Sequence, residues 1–355
     1  MPAYDAFLLL SFGGPEGPDD VLPFLENVTR GRGVPRERLA EVAEHYHAYG
    51  GVSPINSQCR EMLAAIGGAF ADAGIDLPLY WGNRNWHPFI TDTVRKLADD
   101  GAERVIAFVT SAYSSYSACR QYLDDIERAV AAVGPRAPRI DKIRPYFNHP
   151  GFIEPFAAHT EAARQALPAD VRDDARLVFT AHSVPLGMAA ASGSVSAGTS
   201  LATVTGGRYA TELKEASRLI SERTRGACLP YDLVYQSRSG PAGQPWLEPD
   251  VRDHIASLAK SGVPAVVVVP VGFVSDHMEV VYDLDVEAAQ AAASLGLPFD
   301  RAAAPGLSPR FARMVAELVA ERLSGAAPLA LGAMGPAPWP CPADCCRYIR
   351  PARPA

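Results

Sequence analysis

Three side chains of ligand type stand at the ends of apolar runs. His182 directly follows Arg176–Ala181, while His277 and Glu279 closely follow Val263–Val271. In open parallel sheets, sites form beyond the carboxyl ends of the strands. Imidazole suits iron and carboxylate suits hard cations, so such a set fits a site that holds a divalent ion loosely or moves protons. Taken alone, His182 reads as a strand-end histidine bonded to backbone; joined with His277 and Glu279, the functional reading prevails. Glu279 also begins a series. Glu279, Asp283 and Glu287 are spaced four apart, which lines them along one helix face. Three like charges in a row need cations, protons or water beside them. A solvated stripe is the usual fate of such a run, but this one starts at the candidate site, where it would form a path for metal entry or proton exit.

Other chemistry is less well supported. Gly13-Gly14-Pro15-Glu16-Gly17 lacks both G-x-G-x-x-G and G-x-x-x-x-G-K-[ST], so a nucleotide site is not expected. Ser183 is not in a G-x-S-x-G elbow, which argues against a hydrolase. Arg30 and Arg32 lie in Thr29-Arg30-Gly31-Arg32-Gly33, a basic loop that reads equally as a clamp for ligand carboxylates or as a solvated turn. Of six cysteines, Cys59, Cys119 and Cys228 are scattered, whereas Cys341, Cys345 and Cys346 crowd together near the end. In a reducing compartment such a group points to metal rather than to disulfides.

The elements that must position these residues alternate. Apolar runs at Tyr4–Phe12, Leu77–Trp81, Val105–Thr110, Arg176–Ala181, Tyr231–Gln236 and Val263–Val271 read as buried strands. Between them, helical periodicity marks Arg36–His47, Ser57–Ala73, Pro88–Ala98, Cys119–Ala132, Gly151–Ala166, Tyr209–Thr224, Pro249–Ser261, Glu279–Ser294 and Ser308–Leu323. This order predicts an α/β protein with parallel sheets. Val109–Glu127 aligns without a gap on Val269–Glu287, 160 residues later, with Ser115 on Ser275, Tyr122 on Tyr282 and Asp125 on Asp285. Two similar lobes follow, 1–148 and 149–323, then a Pro/Ala-rich tail, 324–355, expected to be irregular unless something ties it down. The span 189–207 has hardly a large side chain and reads as a mobile loop.

Composition narrows the function. Lys and Arg number 33 against 40 Asp and Glu, a net charge of −7, which argues against general nucleic-acid binding. No apolar run is long enough to span a bilayer, and no basic stretch precedes the first apolar run as in a secretory signal, so a cytoplasmic address is expected.

Several motifs together resemble the ferrochelatases, which insert ferrous iron into a porphyrin. They are Leu10-Ser11-Phe12-Gly13-Gly14-Pro15, Gly50-Gly51-Val52-Ser53-Pro54-Ile55-Asn56, Ala181-His182-Ser183-Val184-Pro185, Tyr235-Gln236-Ser237-Arg238-Ser239-Gly240-Pro241, and Gly272-Phe273-Val274-Ser275-Asp276-His277-Met278-Glu279. The first two, with Gly82-Asn83-Arg84-Asn85-Trp86, look most like the actinobacterial branch, whose members are understood to act on coproporphyrin III. The resemblance implies two Rossmann-like lobes around a porphyrin cleft. It implies that His182 and Glu279 bind Fe2+, the substrate ion, and take up pyrrole protons. Ser53, Tyr122 and Phe12 match positions at the porphyrin, with His277 and Phe273 further along the cleft. Asp283 and Glu287 match an acidic path along an irregular helix, and Arg30 and Arg32 a loop that meets propionates. A monomer with transient contacts to neighbouring haem-pathway enzymes is the family's default. The rival readings are a cobalt or nickel chelatase and a non-catalytic haem or iron carrier.

Some ferrochelatases hold a [2Fe–2S] cluster on four thiolates, three of them near the C-terminus. Cys341, Cys345 and Cys346 fit those three. Phe152–His159, which matches the stretch holding the fourth ligand in the animal enzymes, contains no cysteine. The fourth would then be Cys228 or Cys119. Cys228 is the expected one, because Cys119 sits beside Tyr122, where a cleft role or plain packing serves as well.

Overall fold

The computed structural model describes residues 4–31, 33–193, 206–226, 228–239 and 243–348. Among the described residues, eight strands form two four-stranded parallel sheets. In the first, β1 (Ala6–Ser11) and β3 (Arg104–Val109) are central, flanked by β2 (Leu79–Asn83) and β4 (Arg139–Lys142), in the order β2-β1-β3-β4. In the second, β5 (Arg176–His182) and β7 (Val266–Val269) are central, flanked by β6 (Tyr231–Gln236) and β8 (Phe299–Arg301), in the order β6-β5-β7-β8. The two orders are the same order. The repeated segment read from the sequence begins at Val109, the last residue of β3, and at Val269, the last residue of β7, so the repeat occupies equivalent strands.

Alternation along the central strands sorts side chains between layers. Phe7, Leu9, Ile106 and Phe108 from the first sheet join Leu177, Phe179, Val267 and Val269 from the second in one continuous apolar cluster. Their neighbours Ala6, Leu8, Leu10, Val105 and Ala107 face the opposite way, against α4 (Ile90–Asp99) and α5 (Gln121–Val133). Val266 and Val268 likewise face α9 (Val251–Lys260). Both faces of each sheet are covered, so the strands can be apolar throughout.

The shared layer is completed by α3 (Ile55–Asp72), α6 (Pro150–Ala166), α8 (Gly207–Arg223) and α12 (Pro309–Leu323). The last helix packs on α3 as well as on α6. The lobes are also joined by polar contacts. Tyr113 Oη donates to Val271 O at 2.8 Å, and the Asp276 amide donates to Gln58 Oε1 at 2.9 Å. Glu212 is fully buried and accepts from the Ser114 amide at 2.6 Å, from Ser114 Oγ at 2.8 Å and from Arg208 Nε at 2.6 Å.

Elements that the periodicity did not mark are short or polar. β4 is Arg-Ile-Asp-Lys and β8 is Phe-Asp-Arg, edge strands with few apolar residues. The helix α1 (Val21–Val28) contains Pro23, and it pairs with α2 (Arg36–His47) into a hairpin with its own apolar cluster. The expected loop over 189–207 begins inside α7 (Leu186–Ala190) and ends where Gly207 opens α8; its centre, 194–205, lies outside the described residues. The expected single α-helix over Glu279–Ser294 is three pieces: α10 (Met278–Val280), a π-helical stretch Val281–Ala288, and α11 (Ala289–Ser294). A second π turn, Tyr116–Arg120, precedes α5 in the first lobe.

The described part of the tail is tied down. Asn148 bonds the Leu331 amide and donates to Leu331 O and Gly335 O. Trp339 Nε1 donates to Lys142 O at 2.7 Å, and the Arg322 guanidinium lies 3.1 Å from the Trp339 ring centre.

Candidate active site

His182 ends β5, and its Nδ1 makes a short hydrogen bond to Ser183 O. A carbonyl oxygen only accepts, so Nδ1 carries the proton and the neutral ring presents a lone pair on Nε2. That atom lies 3.6 Å from Glu279 Oε2. The two side chains are 35% and 48% exposed, open enough to meet a ligand. His277 is arranged the other way round. It caps α10, and its Nδ1 accepts the Val280 amide at 3.1 Å, which leaves the proton of the neutral ring on Nε2, 4.0 Å from the same Glu279 oxygen. Burial pushes the His277 pKa down, against the pull of Glu279, and so favours that neutral form. One imidazole can therefore accept a proton at Glu279 while the other can donate a hydrogen bond there. Phe273 packs edge-on against His277, with ring centres 5.1 Å apart.

The acidic line continues from this point. Asp283 accepts a short hydrogen bond from Ser237 Oγ and another from Gln236 Nε2 at 3.3 Å. Burial, reinforced by Glu279 and Glu287, raises its pKa to about 6, so it can exchange protons close to neutral pH. Glu287 differs, because Arg252 Nη1 reaches it at 3.2 Å. The π-helical turns widen the helix where the line runs, a distortion common at functional sites. The line is therefore open to solvent at Glu279 and less so at Glu287, while Asp283 between them is held by Ser237 and Gln236.

The first-lobe candidates gather near the end of β1 and beside Arg84. Phe12 follows β1 and is half-buried, with its ring edge towards Phe24. Gly13 adopts φ +82°, and a Cβ on Gly14 would stand 2.7 Å from Ser53 Cβ. Only glycines let Ser53, itself buried, approach the strand end so closely. Tyr122 is buried beneath Arg84, whose guanidinium lies 4.8 Å from the Tyr122 ring centre and 5.9 Å from that of Phe12. Asp125 holds Arg84 at 2.8 Å, both side chains being almost fully buried. Arg30 is exposed at the end of α1, while Arg32, Gly240 and Pro241 lie outside the described residues.

Two residues that the sequence reading missed come from α2. His45 stacks on Tyr282 with ring centres 3.8 Å apart and planes within 10°. Tyr46 is buried, and both burial and the charges of Glu279 and Asp283 push its pKa up. Their only signal in the sequence was an aromatic pair late in a charged helix.

The cysteines require a correction. Cys228 is exposed, with Sγ 3.7 Å from Ser221 Oγ, near the C-terminal end of α8. Cys345 and Cys346 act electrostatically on Arg208, in the first turn of the same helix. Arg208 and Ser221 are thirteen residues apart on α8, about 20 Å at the α-helical rise, so Cys228 stands far from the tail cysteines. Cys119 is the one that meets them. Its buried thiol is within hydrogen-bonding reach of Cys341, which in turn reaches Cys345; the Cys345 and Cys346 sulfurs are 3.7 Å apart. Among the described residues, no three His, Cys, Asp or Glu side chains converge on a single ion position. The four thiols instead follow one another in a row.

The ferrochelatase family model matches residues 4–323 of the chain. A coproporphyrin III ferrochelatase of Nocardia farcinica is 55% identical, covering 99% of this chain and 99% of the relative. A coproporphyrin III ferrochelatase of Streptomyces coelicolor is 52% identical over 98% of this chain and 95% of its own. Among solved structures, SirB from Bacillus subtilis with Fe3+ shares the fold at 12% identity, with a TM-score of 0.52 over 91% of this chain and 97% of that one.

Proposed function

The chain belongs to the ferrochelatase family, and on that premise we propose that it inserts ferrous iron into coproporphyrin III to give the iron porphyrin in haem synthesis. The observation that carries the reading is the facing pair His182 Nε2 and Glu279 Oε2, 3.6 Å apart at the head of an acidic line. Free porphyrin carries two pyrrole N–H protons that must leave as the divalent ion enters. A neutral His182 with its lone pair on Nε2 is a base placed to accept them, and Glu279 offers a carboxylate on the same side. The raised pKa of Asp283 makes it the next proton acceptor along the line, with Glu287 and Arg252 at its outer end. Phe12, Ser53 and Tyr122 would bear on the macrocycle from the first lobe, Phe273 and His277 from the second. The Arg30–Arg32 loop would meet the propionates, which are more numerous on coproporphyrin than on protoporphyrin.

The same reading divides the chain into lobes 1–148 and 149–323 with a tail 324–355. It takes the protein as a cytoplasmic monomer in transient contact with its pathway neighbours. Among the described residues, no helix is long and apolar enough to cross a membrane. We further propose a structural [2Fe–2S] cluster on the tail cysteines. The donor set fits in kind, since thiolates are the usual ligands of such clusters and the Cys345 and Cys346 sulfurs lie 3.7 Å apart.

Anaerobic mixing with ferrous iron and metal-free coproporphyrin III tests the activity. Conversion of the free-base spectrum to that of the iron porphyrin over many turnovers, faster than with protoporphyrin IX, is the expected result. Tight porphyrin binding without turnover would indicate a carrier, and turnover with cobalt or nickel but not iron would indicate a different chelatase.

A further inference from the structure

We infer that Arg301 is a positioning residue for iron insertion, stapling together the two ends of the segment that carries His277, Glu279 and Asp283. This rests on the activity proposed above and assigns a part in it to an arginine of an edge strand. Arg301 ends β8, and its side chain is 15% exposed. Its guanidinium holds two carboxylates. Nη1 donates to Asp276 Oδ1 at 3.1 Å, while Nε and Nη2 fork onto Asp285, with Nη2 2.9 Å from Oδ2. Asp276 immediately precedes His277, and Asp285 lies in the π-helical stretch two residues after Asp283. All three site residues on this segment therefore fall between the two anchors.

The staple has a firm base, and the segment needs one. Arg301 pairs with the fully buried Val268 in the β7–β8 ladder, and the Ala302 amide donates to Val268 O at 2.9 Å. Glu279, Asp283 and Glu287 repel one another along one face of a π-helical stretch, a rare form frequent at functional sites. Val280, Leu284 and Ala288 bury the inner face, but hydrophobic contact is non-directional. A planar guanidinium forked on a carboxylate fixes distance and angle together. Residues two apart on a helix do not face each other, so Asp285 can turn to Arg301 while Asp283 turns to Ser237 and Gln236. At the other anchor, the Asp276 amide bonds Gln58 of the first lobe, so the staple also ties the segment to the lobe junction.

The internal repeat separates this role from plain lobe architecture. Asp285 occupies the place of Asp125, and Asp125 also holds an arginine, Arg84, at 2.8 Å. The two arginines come from opposite edges of equivalent sheets, since Arg84 follows β2 and Arg301 ends β8. Arg84 lies over the Tyr122 ring, whereas Arg301 reaches on to the residue before His277. The repeat sets Tyr116 opposite Asp276, so the first lobe has no second carboxylate there to complete a staple. It also sets Ser117 and Cys119 opposite His277 and Glu279. The second anchor thus accompanies the ligand-type side chains.

The test compares wild type, Arg301→Ala and Asp285→Ala as full chains. Anaerobic iron insertion into coproporphyrin III gives kcat, and fluorescence titration gives the porphyrin dissociation constant. Both variants should lose at least about tenfold in kcat, towards the roughly 100-fold that a misplacement of about 1 Å can cost, while porphyrin affinity shifts less than about threefold. Amide hydrogen exchange across residues 276–288 should quicken by about tenfold, with β5 and β7 still protected. A smaller loss of kcat in either folded variant, a loss of affinity as large as the loss of kcat, or unchanged exchange overturns the role. Should Arg301→Ala fail to fold by circular dichroism, Asp285→Ala decides alone, because Asp285 is partly exposed and alanine suits a helix. Absent turnover in wild type overturns the functional reading and the role with it, whereas normal turnover in wild type and both variants overturns the role alone.

Discussion

At the scale of single residues, the site depends on which ring nitrogen holds the proton. His182 turns a lone pair towards Glu279 and His277 turns an N–H towards it, each orientation fixed by a backbone partner of the other nitrogen. His182→Ala removes the base. It should lower turnover by about 100-fold or more while porphyrin affinity, read by fluorescence titration, changes little; unaltered turnover would refute the role. Asp283 gives a pH signature. Its folded pKa, about 6, lies above the unfolded carboxylate value of 3.8, so the native state binds the extra proton between those values. Its contribution to stability is therefore most favourable below about pH 4 and is lost as pH rises through 6. Asp283→Asn abolishes that dependence, so the melting temperature of the variant relative to wild type should climb between pH 4 and 6 and then level off. A difference constant with pH would contradict the assignment. The histidine–carboxylate set was legible in the sequence because all three residues follow apolar runs. The cysteine partner was not, since only the path of the tail brings Cys341 back to Cys119.

At the scale of elements, the α1–α2 hairpin of the first lobe closes over the π-helical stretch of the second. Its inner face presents His45 and Tyr46 to Tyr282, Glu279 and Asp283, and Met278 joins its apolar cluster. Tyr282→Ala removes the stacked ring. Hydrogen exchange should then speed up in residues 21–47 by about tenfold, while β1, β3, β5 and β7 keep their protection; unchanged exchange in the hairpin would show that the stack contributes no stability there. Most elements could be read from periodicity because the central strands are apolar on both faces and the long helices carry regular stripes. β4 and β8 escaped because edge strands of three or four mixed residues have no period to detect. The π turns escaped because one extra residue in a helical turn leaves the apolar spacing nearly unchanged, and the aromatic pair on α2 was hidden among charged neighbours.

At the scale of the whole molecule, the repeat foretold the matching strand orders, but not how closely the halves are joined. Glu212, from the second lobe, is buried against Ser114 of the first and Arg208 of its own helix. Glu212→Ala strands the half-buried Arg208 and two Ser114 donors, and by analogy with other broken buried pairs should cost about 3–5 kcal/mol. Urea unfolding should show a correspondingly lower midpoint, with Glu212→Gln recovering part of the loss; a midpoint within 0.2 M of wild type (roughly 0.5 kcal/mol at ordinary denaturant slopes) would disprove the clamp. The packing of α12 on α3 also has a consequence for synthesis of the chain. Met62, Ile66 and Phe70 on α3 belong to a core that includes Phe311, Met314 and Val315 on α12. Nearly 240 residues are translated between those two helices. Throughout that interval the nascent first half presents an apolar helix face with its final partner still unmade, which makes it a natural client for ribosome-associated holdases and the segment most exposed to aggregation if elongation stalls before the last helix emerges.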